Sequence, residues 1–358
     1  MNVTELERVW GELAPPVWVD SARAIYELLP FQRYRQLPFV DVAYDPRREE
    51  HWADAARVAD FASQLRSGQL SDVGGVVVDI GPGDGWPSIP LAVALPEAEV
   101  VGVEPSRRRA GVCAGNTRRL GVGNASFVTG DASLLPLRDG CADLVVASYS
   151  LEECADPMAA LREVRRVLRP GGVVKVAYQR WELPAPEVES VTLLEGTETL
   201  DEGTLLYQYA RRTLKPARER RYTLVVPETG EAAEIHSEAV VVAASEERML
   251  GETRLREGSP LGVALLERLA PFAVASLAVE LQRWTTSWLM DALREVGFDE
   301  VRGTLHSGEW GRAYGRERIA SGDAVDLEEF GKLSREIGER AAATEGEGMV
   351  YAARSGLA

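Results

Sequence analysis

The sequence feature that most constrains the fold is a glycine-rich turn that directly follows a short apolar run. The run Val76–Ile80 (VVVDI) is rich in β-branched residues and is typical of a strand buried on both faces of a parallel sheet. The turn Gly81–Gly85 (GPGDG) follows it. Glycines there let the backbone turn tightly and approach a ligand closely, and the next helix directs its N-terminus towards negative charge. Taken alone, the turn is also compatible with a plain strand-to-helix connection.

Strand-like and helix-like runs alternate after this turn. Strands are predicted at Glu99–Val103, Ala125–Thr129, Asp143–Ser148 and Gly172–Tyr178. Helices are predicted between them at Arg107–Leu120 and Pro157–Leu168. Strands that alternate with helices imply right-handed crossovers, so we predict a doubly wound, mostly parallel α/β sheet.

The segments on either side of this pattern differ from it. Helices are predicted before it at Ser21–Leu29 and Glu49–Leu65, and after it come strands at 204–212, 220–227 and 232–243 and a helix at 259–282. The α/β pattern resumes with a helix at Ser287–Val296, a strand at Glu300–Leu305, a helix at 326–343 and an apolar run at Met349–Ala353. We therefore predict an N-terminal helical cap (1–70), an α/β core (71–180), an inserted β-rich substrate, lid or dimerisation region (181–284) and a completion of the core with a helical insertion (285–358).

Acidic residues follow two of the predicted strands. Glu104 ends the second strand and Asp131 follows the third. Open α/β sheets bind ligands at the carboxyl ends of their strands, where an acid at the position of Glu104 can accept both hydroxyls of a ribose. Either carboxylate alone would be read as a solvated loop residue, but their order along the chain, after the glycine turn, favours a nucleoside site.

Five motifs stand in the order DIGPGDG, GVEP, GDA, DLVVASYSLEE and LRPGG between residues 79 and 172. In this order they resemble the class I S-adenosylmethionine-dependent methyltransferases of the small-molecule type. The resemblance covers residues 74–180 closely and residues 285–306 and 346–354 more loosely. It implies a seven-stranded, mostly parallel Rossmann-like sheet whose last strand, Met349–Ala353, is antiparallel.

The same resemblance implies that S-adenosylmethionine is the cofactor. The first strand's acid and the glycine loop would hold its methionine part, the second strand's acid its ribose, and the residues after the third strand its adenine. The residues so assigned are Asp79, Gly81, Pro82, Gly83, Glu104, Pro105, Asp131, Ala132 and Ser148, the last through its backbone. No metal site is predicted.

Three further residues are candidates for acceptor chemistry. His306 directly follows the strand at 300–305, so we expect it at the edge facing the cofactor crevice as a general base, with a structural histidine as the alternative. Glu152 and Glu153 stand where many small-molecule members carry histidine or asparagine. They would steer a cationic acceptor or act as a base, and the alternative is favourable charge at the helix N-terminus before Pro157.

Composition limits the partners. The formal net charge of −16 disfavours nucleic acid and anionic membranes. Three cysteines without metal-type spacing and the lack of a signal-like start predict a cytoplasmic, reduced protein with no membrane segment. The basic run at 211–221 is interpreted as a solvated hairpin edge, with anion binding as the alternative.

The predicted function is methylation of a small-molecule acceptor enclosed under a lid, although the inserted strands could instead form a homodimer. One alternative is an NAD(P)-dependent Rossmann oxidoreductase, which shares the ribose-binding acid. Against it, Trp86-Pro87 follows the loop, without the third glycine of the G-x-G-x-x-G spacing. The other alternative is a catalytically silent protein that binds S-adenosylmethionine and has a regulatory or assembly role.

Overall fold

The computed structural model describes residues 3–20, 44–66, 75–181, 185–195, 203–249 and 252–355. The helix predicted at Ser21–Leu29 lies outside these ranges. No helix in the described ranges is both long enough and apolar enough to cross a membrane.

The strands are β1 (Val17–Trp18), β2 (Val76–Ile80), β3 (Glu99–Glu104), β4 (Ala125–Thr129), β5 (Ala142–Ser148), β6 (Leu168–Ala177), β7 (Glu187–Glu195), β8 (Thr204–Leu214), β9 (Ala217–Pro227), β10 (Arg248–Met249), β11 (Glu252–Arg254), β12 (Ala275–Gln282), β13 (Glu300–Leu305) and β14 (Gly348–Ala353).

The helices are α1 (Glu5–Leu13), α2 (Glu49–Arg66), α3 (Ser88–Ala94), α4 (Arg107–Leu120), α5 (Pro157–Val167), α6 (Glu231–Ser245), α7 (Val263–Leu269), α8 (Thr286–Glu295), α9 (Ser307–Ser321) and α10 (Leu327–Ala343). Single 3₁₀ turns occur at Leu151–Glu153 and Ala270–Phe272.

The described residues form two compact units, and the larger one contains the described residues of 44–180 and 284–355. Its strands, as far as the structure describes them, form a seven-stranded sheet in the order β13-β14-β6-β5-β2-β3-β4. The pairs from β6 to β4 are parallel, whereas β14 is antiparallel to both β6 and β13. The predicted fold class, including its antiparallel last strand, is confirmed.

The central strands of this sheet are buried on both faces. Val77 and Leu144 share one apolar cluster with Phe61 of α2, while Val78 and Val145 share another, to which α5 and α8 contribute. Successive side chains of a strand point to opposite faces, so continuous apolar runs such as VVVDI are required when helices cover both sides.

Helix α9 was not predicted from the sequence. Its three glycines are unfavourable for a helix by intrinsic propensity. They lie where α9 packs against α2. A Cβ on Gly311 would lie 2.4 Å from the Trp52 carbonyl oxygen, and one on Gly315 would lie 2.3 Å from the Trp52 ring. Close packing of α9 on α2 therefore selects glycine there, which local propensity does not reveal.

The other unit contains the described residues of 3–20 and 181–283. Its strands, within the described ranges, are ordered β1-β12-β9-β8-β7-β11-β10, and all pairs except β1 with β12 are antiparallel. Its main apolar cluster joins Trp10 of α1 and Leu266 of α7 to Tyr207, Tyr209 and Leu224 of the sheet.

Two predicted elements of this unit are wrong. Residues 232–243 lie in helix α6 and not in a strand, because Ile235, Ala239 and Ala243 recur every four residues and bury one helical face. The helix predicted at 259–282 ends near Phe272 and gives way to β12. Full-length antiparallel pairing of β12 with β9 decides this segment, and such pairing is a non-local constraint.

The interpretation of the basic run as a solvated hairpin edge is also wrong for its first two residues. Strand β8 is paired on both sides, with β7 and β9, and Arg211 and Arg212 are 3% and 4% exposed. Arg211 binds Glu7 at 2.8 Å, and Arg212 binds Glu252 at 2.6 Å through Nη2. These arginines are therefore internal ion-pair partners of the sheet.

The cap predicted at 1–70 does not form one body. Helix α1 contributes Leu6, Val9 and Trp10 to the core of the smaller unit, whereas α2 contributes Val58 and Phe61 to that of the larger. The apolar face of α1 packs in the smaller unit, and the apolar face of α2 packs in the larger unit. The possible homodimer through inserted strands stays a prediction.

A buried ion pair connects the sheet of the larger unit to helix α2. Lys175 on β6 and Asp60 on α2 are both 0% exposed, and Nζ lies 3.2 Å from Oδ1. Lys175 also donates to Thr304 Oγ1 at 2.7 Å. Burial lowers the pKa of Lys175 and raises the pKa of Asp60, while each charge opposes the shift of the other.

We expect Lys175→Met to lower the free energy of unfolding of this unit by about 3–5 kcal/mol, because it leaves the Asp60 carboxylate buried without its cation. The double variant Lys175→Met/Asp60→Leu should recover most of the loss. Urea unfolding followed by circular dichroism measures both. The exposed Lys332→Met on α10 is the matched control, with an expected change below about 0.5 kcal/mol. Equal stability of Lys175→Met and the unchanged protein would contradict the prediction.

Candidate active site

The predicted site residues lie in the larger unit, at the carboxyl ends of parallel strands. The loop after β2 contains three glycines with positive φ, +74° at Gly81, +58° at Gly83 and +115° at Gly85. A Cβ on Gly81 would also lie 2.5 Å from Cβ of Ser150, which follows β5. The loop therefore requires glycine both for its backbone conformation and for its close approach to the end of the neighbouring strand β5.

Glu104 connects this loop to the end of β3. Its Oε2 accepts the Gly83 N–H at 3.0 Å and its Oε1 accepts the Ser106 N–H at 3.1 Å. The side chain is buried, and this burial raises the pKa of its carboxyl group. Each oxygen of a carboxylate has two lone pairs, so both oxygens of Glu104 retain capacity for a ligand's hydroxyls.

Two residues of α4 hold the loop from the other side. Cys113 Sγ–H donates to the Gly83 carbonyl at 3.1 Å, and Asn116 Nδ2 donates to the Asp84 carbonyl at 2.9 Å. Sequence reasoning missed both residues. Their spacing of three residues on a predicted helix places them on one face, but only the packing of α4 shows that the face meets the loop.

Asp79 is the most deeply buried acid of the site. Its Oδ2 accepts the Ser88 hydroxyl at 2.6 Å, whereas its Oδ1 has no hydrogen-bond partner among the described residues. Burial raises the pKa of Asp79 to about 7, with a smaller contribution from the nearby Glu104 charge. A buried carboxylate with a free oxygen is suited to a cationic ligand group.

The residues after β4 and β5 complete the predicted cofactor set. Asp131 Oδ1 accepts both the backbone N–H and the hydroxyl of Ser133, at 2.8 and 2.6 Å, which fixes the turn that also contains the buried Ala132. Ser148 ends β5, and its buried Oγ has no partner among the described residues. Pro105 directly follows Glu104 and is partly buried.

Tyr149 was not predicted from the sequence, although it directly follows Ser148. It is the one non-glycine residue with positive φ in the described ranges, at +56°, and its N–H donates to the Ala177 carbonyl at 2.8 Å. The side chain is 42% exposed. The Arg57 guanidinium lies over its ring at 5.1 Å and over the Trp86 ring at 4.2 Å.

His306 lies next to Tyr149 and caps helix α9. Its Nδ1 accepts the Glu309 N–H at 3.1 Å, and its Nε2 lies 2.6 Å from Tyr149 Oη. Burial, together with the smaller effect of the Arg57 charge, lowers the pKa of His306 to about 3. The imidazole is therefore neutral at ordinary pH, and both of its nitrogens are engaged.

The two glutamates after β5 occupy a short 3₁₀ turn. Glu152 is buried, and its Oε1 accepts the Gln179 N–H at 3.1 Å, which connects this turn to the segment after β6. Glu153 is partly buried. The N-cap of α5 is Asp156, whose Oδ1 accepts the Ala159 N–H at 2.9 Å, so this helix end has its own capping acid.

A family model described as a methyltransferase domain matches residues 78–176. An uncharacterised methyltransferase of Schizosaccharomyces pombe is 35% identical over 104 residues, which are 27% of this chain and 37% of that protein. A demethylmenaquinone methyltransferase of Staphylococcus aureus is 36% identical over 98 residues, 27% of this chain and 40% of that protein. The chain thus spans less than half the length of these curated relatives.

Among solved structures, the chain is similar to a Thermotoga maritima protein described as an S-adenosylmethionine-dependent methyltransferase, possibly a histamine N-methyltransferase. The two are 17% identical, with a TM-score of 0.35, over 86% of this chain and 94% of that chain.

We expect Gly81→Ala to weaken the site, because the new methyl group meets Ser150 and the positive φ costs about 1–3 kcal/mol. S-adenosylhomocysteine, used as the probe in calorimetry, should bind at least tenfold more weakly. Gly111→Ala is the matched control, since a Cβ there meets nothing within 4 Å and the residue lies within α4. This control should retain affinity and gain about 0.5–1 kcal/mol of stability. Unchanged affinity in Gly81→Ala would contradict the role of the loop.

Proposed function

We propose, from the class I S-adenosylmethionine-dependent methyltransferase domain that residues 78–176 carry, that this protein methylates a small-molecule acceptor. The observation that carries the proposal is the convergence of Asp79, the loop at 81–85 and Glu104 at one edge of the sheet, with Asp79 Oδ1 free and Glu104 already oriented by two backbone N–H groups. The whole activity rests on this cofactor site being functional.

The residues at this edge fit the cofactor's groups in polarity. Asp79 would bind the ammonium of the methionine part beside Gly81, Pro82 and Gly83, with Ser148 on the same side. Glu104 and Pro105 would hold the ribose, and Asp131 and Ala132 the adenine edge. When bound, the sulfonium supplies an activated methyl group whose departure leaves a neutral thioether.

The protein's own contribution is then mostly alignment. A neutral leaving group needs no acid catalyst, so holding acceptor and methyl group in line supplies about 7–11 kcal/mol of the barrier reduction. We assign His306 a positioning role in place of the general-base role expected from the sequence, because its Nδ1 caps α9 and its Nε2 contacts Tyr149. Glu152 is assigned a similar structural role through Gln179, and a direct role of Glu153 stays a prediction.

The smaller unit is proposed as the substrate, lid or dimerisation region, as its place in the chain suggests. The net charge of −16 supports a small molecule over nucleic acid as the acceptor. An oxidoreductase is disfavoured by Trp86-Pro87 after the glycine loop and by the methyltransferase relatives. Stabilisation by NADH and not by S-adenosylhomocysteine in a thermal-shift experiment would favour it. A silent cofactor-binding protein would bind the nucleoside and release no methyl group to any acceptor.

We expect Glu104→Gln to weaken S-adenosylhomocysteine binding at least tenfold. Both oxygens of the carboxylate can accept hydrogen bonds from the backbone N–H groups and the ribose, whereas an amide has one accepting oxygen and a nitrogen that only donates. Glu99→Gln is the matched control: Glu99 begins the same strand and is exposed, so its affinity should stay within twofold. Isothermal titration calorimetry measures both. Equal affinity of the two variants would exclude Glu104 from the cofactor site.

Cofactor affinity should also depend on pH through Asp79. Its pKa of about 7 in the ligand-free protein means that the carboxyl group is ionised above pH 7 and protonated below it. Binding an ammonium requires the ionised form, so affinity should rise towards a plateau above pH 7 and fall below it, with a slope that approaches tenfold per pH unit.

Titrations of S-adenosylhomocysteine between pH 5.5 and 7.5 measure this dependence. Asp79→Asn should bind weakly with a flattened profile, which separates Asp79 from Glu104. A profile of the unchanged protein that is flat across this range would refute the assignment.

A further inference from the structure

The hydrogen bonds of His306 determine the direction of the Tyr149 hydroxyl. A neutral imidazole carries one proton, and Nδ1 cannot carry it because that nitrogen accepts the Glu309 N–H at 3.1 Å. The proton is therefore on Nε2, which donates to Tyr149 Oη at 2.6 Å. Tyr149 Oη is the acceptor in this bond, so its own O–H proton points to another partner.

The backbone places this hydroxyl-bearing residue at the edge where the cofactor site lies. Tyr149 stands between Ser148, which ends β5, and Ser150, whose Oγ donates to the Ile80 carbonyl at 2.5 Å at the end of β2. Its φ of +56° is costly for a tyrosine, and such strain is concentrated at functional sites. The ring remains partly exposed, so a ligand can reach it.

A cation lies against the same ring. The Arg57 guanidinium is stacked over Tyr149 and Trp86, and its Nη2 binds Asp54 at 2.6 Å. Its buried Nε has no partner among the described residues. A positive charge beside a hydroxyl donor favours a negatively charged oxygen as the group that completes the site.

We propose that the methyl acceptor is a carboxylate, and that Tyr149 donates a hydrogen bond to one of its oxygens while His306 holds the hydroxyl in the donating orientation. This inference rests on the proposed methyltransferase function and names its acceptor class. Tyr149 acts as a binding and catalytic residue that touches the acceptor. His306 acts through Tyr149 and is a positioning residue.

Methylation of a carboxylate fits the Tyr149–His306 pair, because this pair offers a hydrogen-bond donor to the acceptor and no base to remove a proton from it. A hydroxyl or protonated amine must lose a proton on methylation, which calls for a base, whereas a carboxylate does not. One carboxylate oxygen uses a lone pair to form the new bond to the methyl carbon, and the pair of the broken carbon–sulfur bond remains on sulfur. The products are a methyl ester and a neutral thioether, and no proton is released.

The test uses the full chain with methyl-labelled S-adenosylmethionine and a defined panel of aliphatic, hydroxy and aromatic carboxylic acids, each paired with its primary amide. Alkali releases labelled methanol from methyl esters but not from methylated amines or ethers, so the bond type is read directly. We expect alkali-labile label on acids and none on amides. At saturating cofactor, kcat/KM should be nearly constant from pH 6 to 8.5.

Variants test the assigned roles. Tyr149→Phe retains the ring under Arg57 and should lower kcat/KM about 10- to 100-fold while S-adenosylhomocysteine affinity stays within twofold. His306→Asn keeps a preferred helix-capping residue and removes the contact with Tyr149, so it should give a similar loss. Because His306 acts through the hydroxyl, the double variant should be no worse than Tyr149→Phe alone.

Tyr351→Phe is the matched control, since Tyr351 also lies beneath an arginine, Arg302 at 4.6 Å, but stands within β14. Its activity should stay within twofold. Alkali-stable label only, full activity of Tyr149→Phe, or cofactor binding with no acid methylated would each overturn the acceptor assignment. A failure of S-adenosylhomocysteine to bind at all would instead overturn the proposed function itself.

Discussion

Parallel pairing of β2 with both β3 and β5 is the constraint on which the site depends. Asp79 is paired with Gly102 on one side and with Val146 on the other, so the ends of three strands stand side by side. After β2 the chain adds β3 and β4 on one side of β2, and it then returns to add β5 and β6 on the other side. Open α/β sheets form a ligand crevice where the strand order reverses in this way. The glycine loop, Glu104 and Tyr149 are all placed by this one register.

The two acids at the crevice, Asp79 and Glu104, are buried without enough polar partners to favour their ionised forms fully. Burial raises the pKa values of both Asp79 and Glu104, so their ionised forms are disfavoured without a partner. Hydrogen bonds from Ser88 and from the loop offset part of that cost. In the proposed function, an ammonium group and ribose hydroxyls would supply the remaining partners of these buried acids.

The role expected for His306 from the sequence and the role that we assign to it differ because a tautomer is a tertiary property. Sequence position alone placed a titratable ring near the crevice, and a general base was a reasonable expectation from it. The α9 N-terminus occupies Nδ1, and the Tyr149 hydroxyl occupies Nε2, so the ring orients a neighbour. The buried arginines of β8 show the same principle, since pairing on both sides turned an expected solvent edge into an internal ion-pair network.

The amino-acid sequence by itself determined the α/β unit from strands β2 to β6, because apolar runs and glycine turns are local signals that parallel pairing requires. It also showed the apolar run of β14, whose antiparallel direction followed only from the resemblance to the methyltransferases. It also located Asp79, Glu104 and Asp131, since strand ends can be read from those runs. Only the tertiary structure decided that α9 exists despite its glycines and that Arg57, Tyr149 and His306 meet. These features depend on contacts between segments far apart in the chain, and neither periodicity nor composition records which distant faces will pack together.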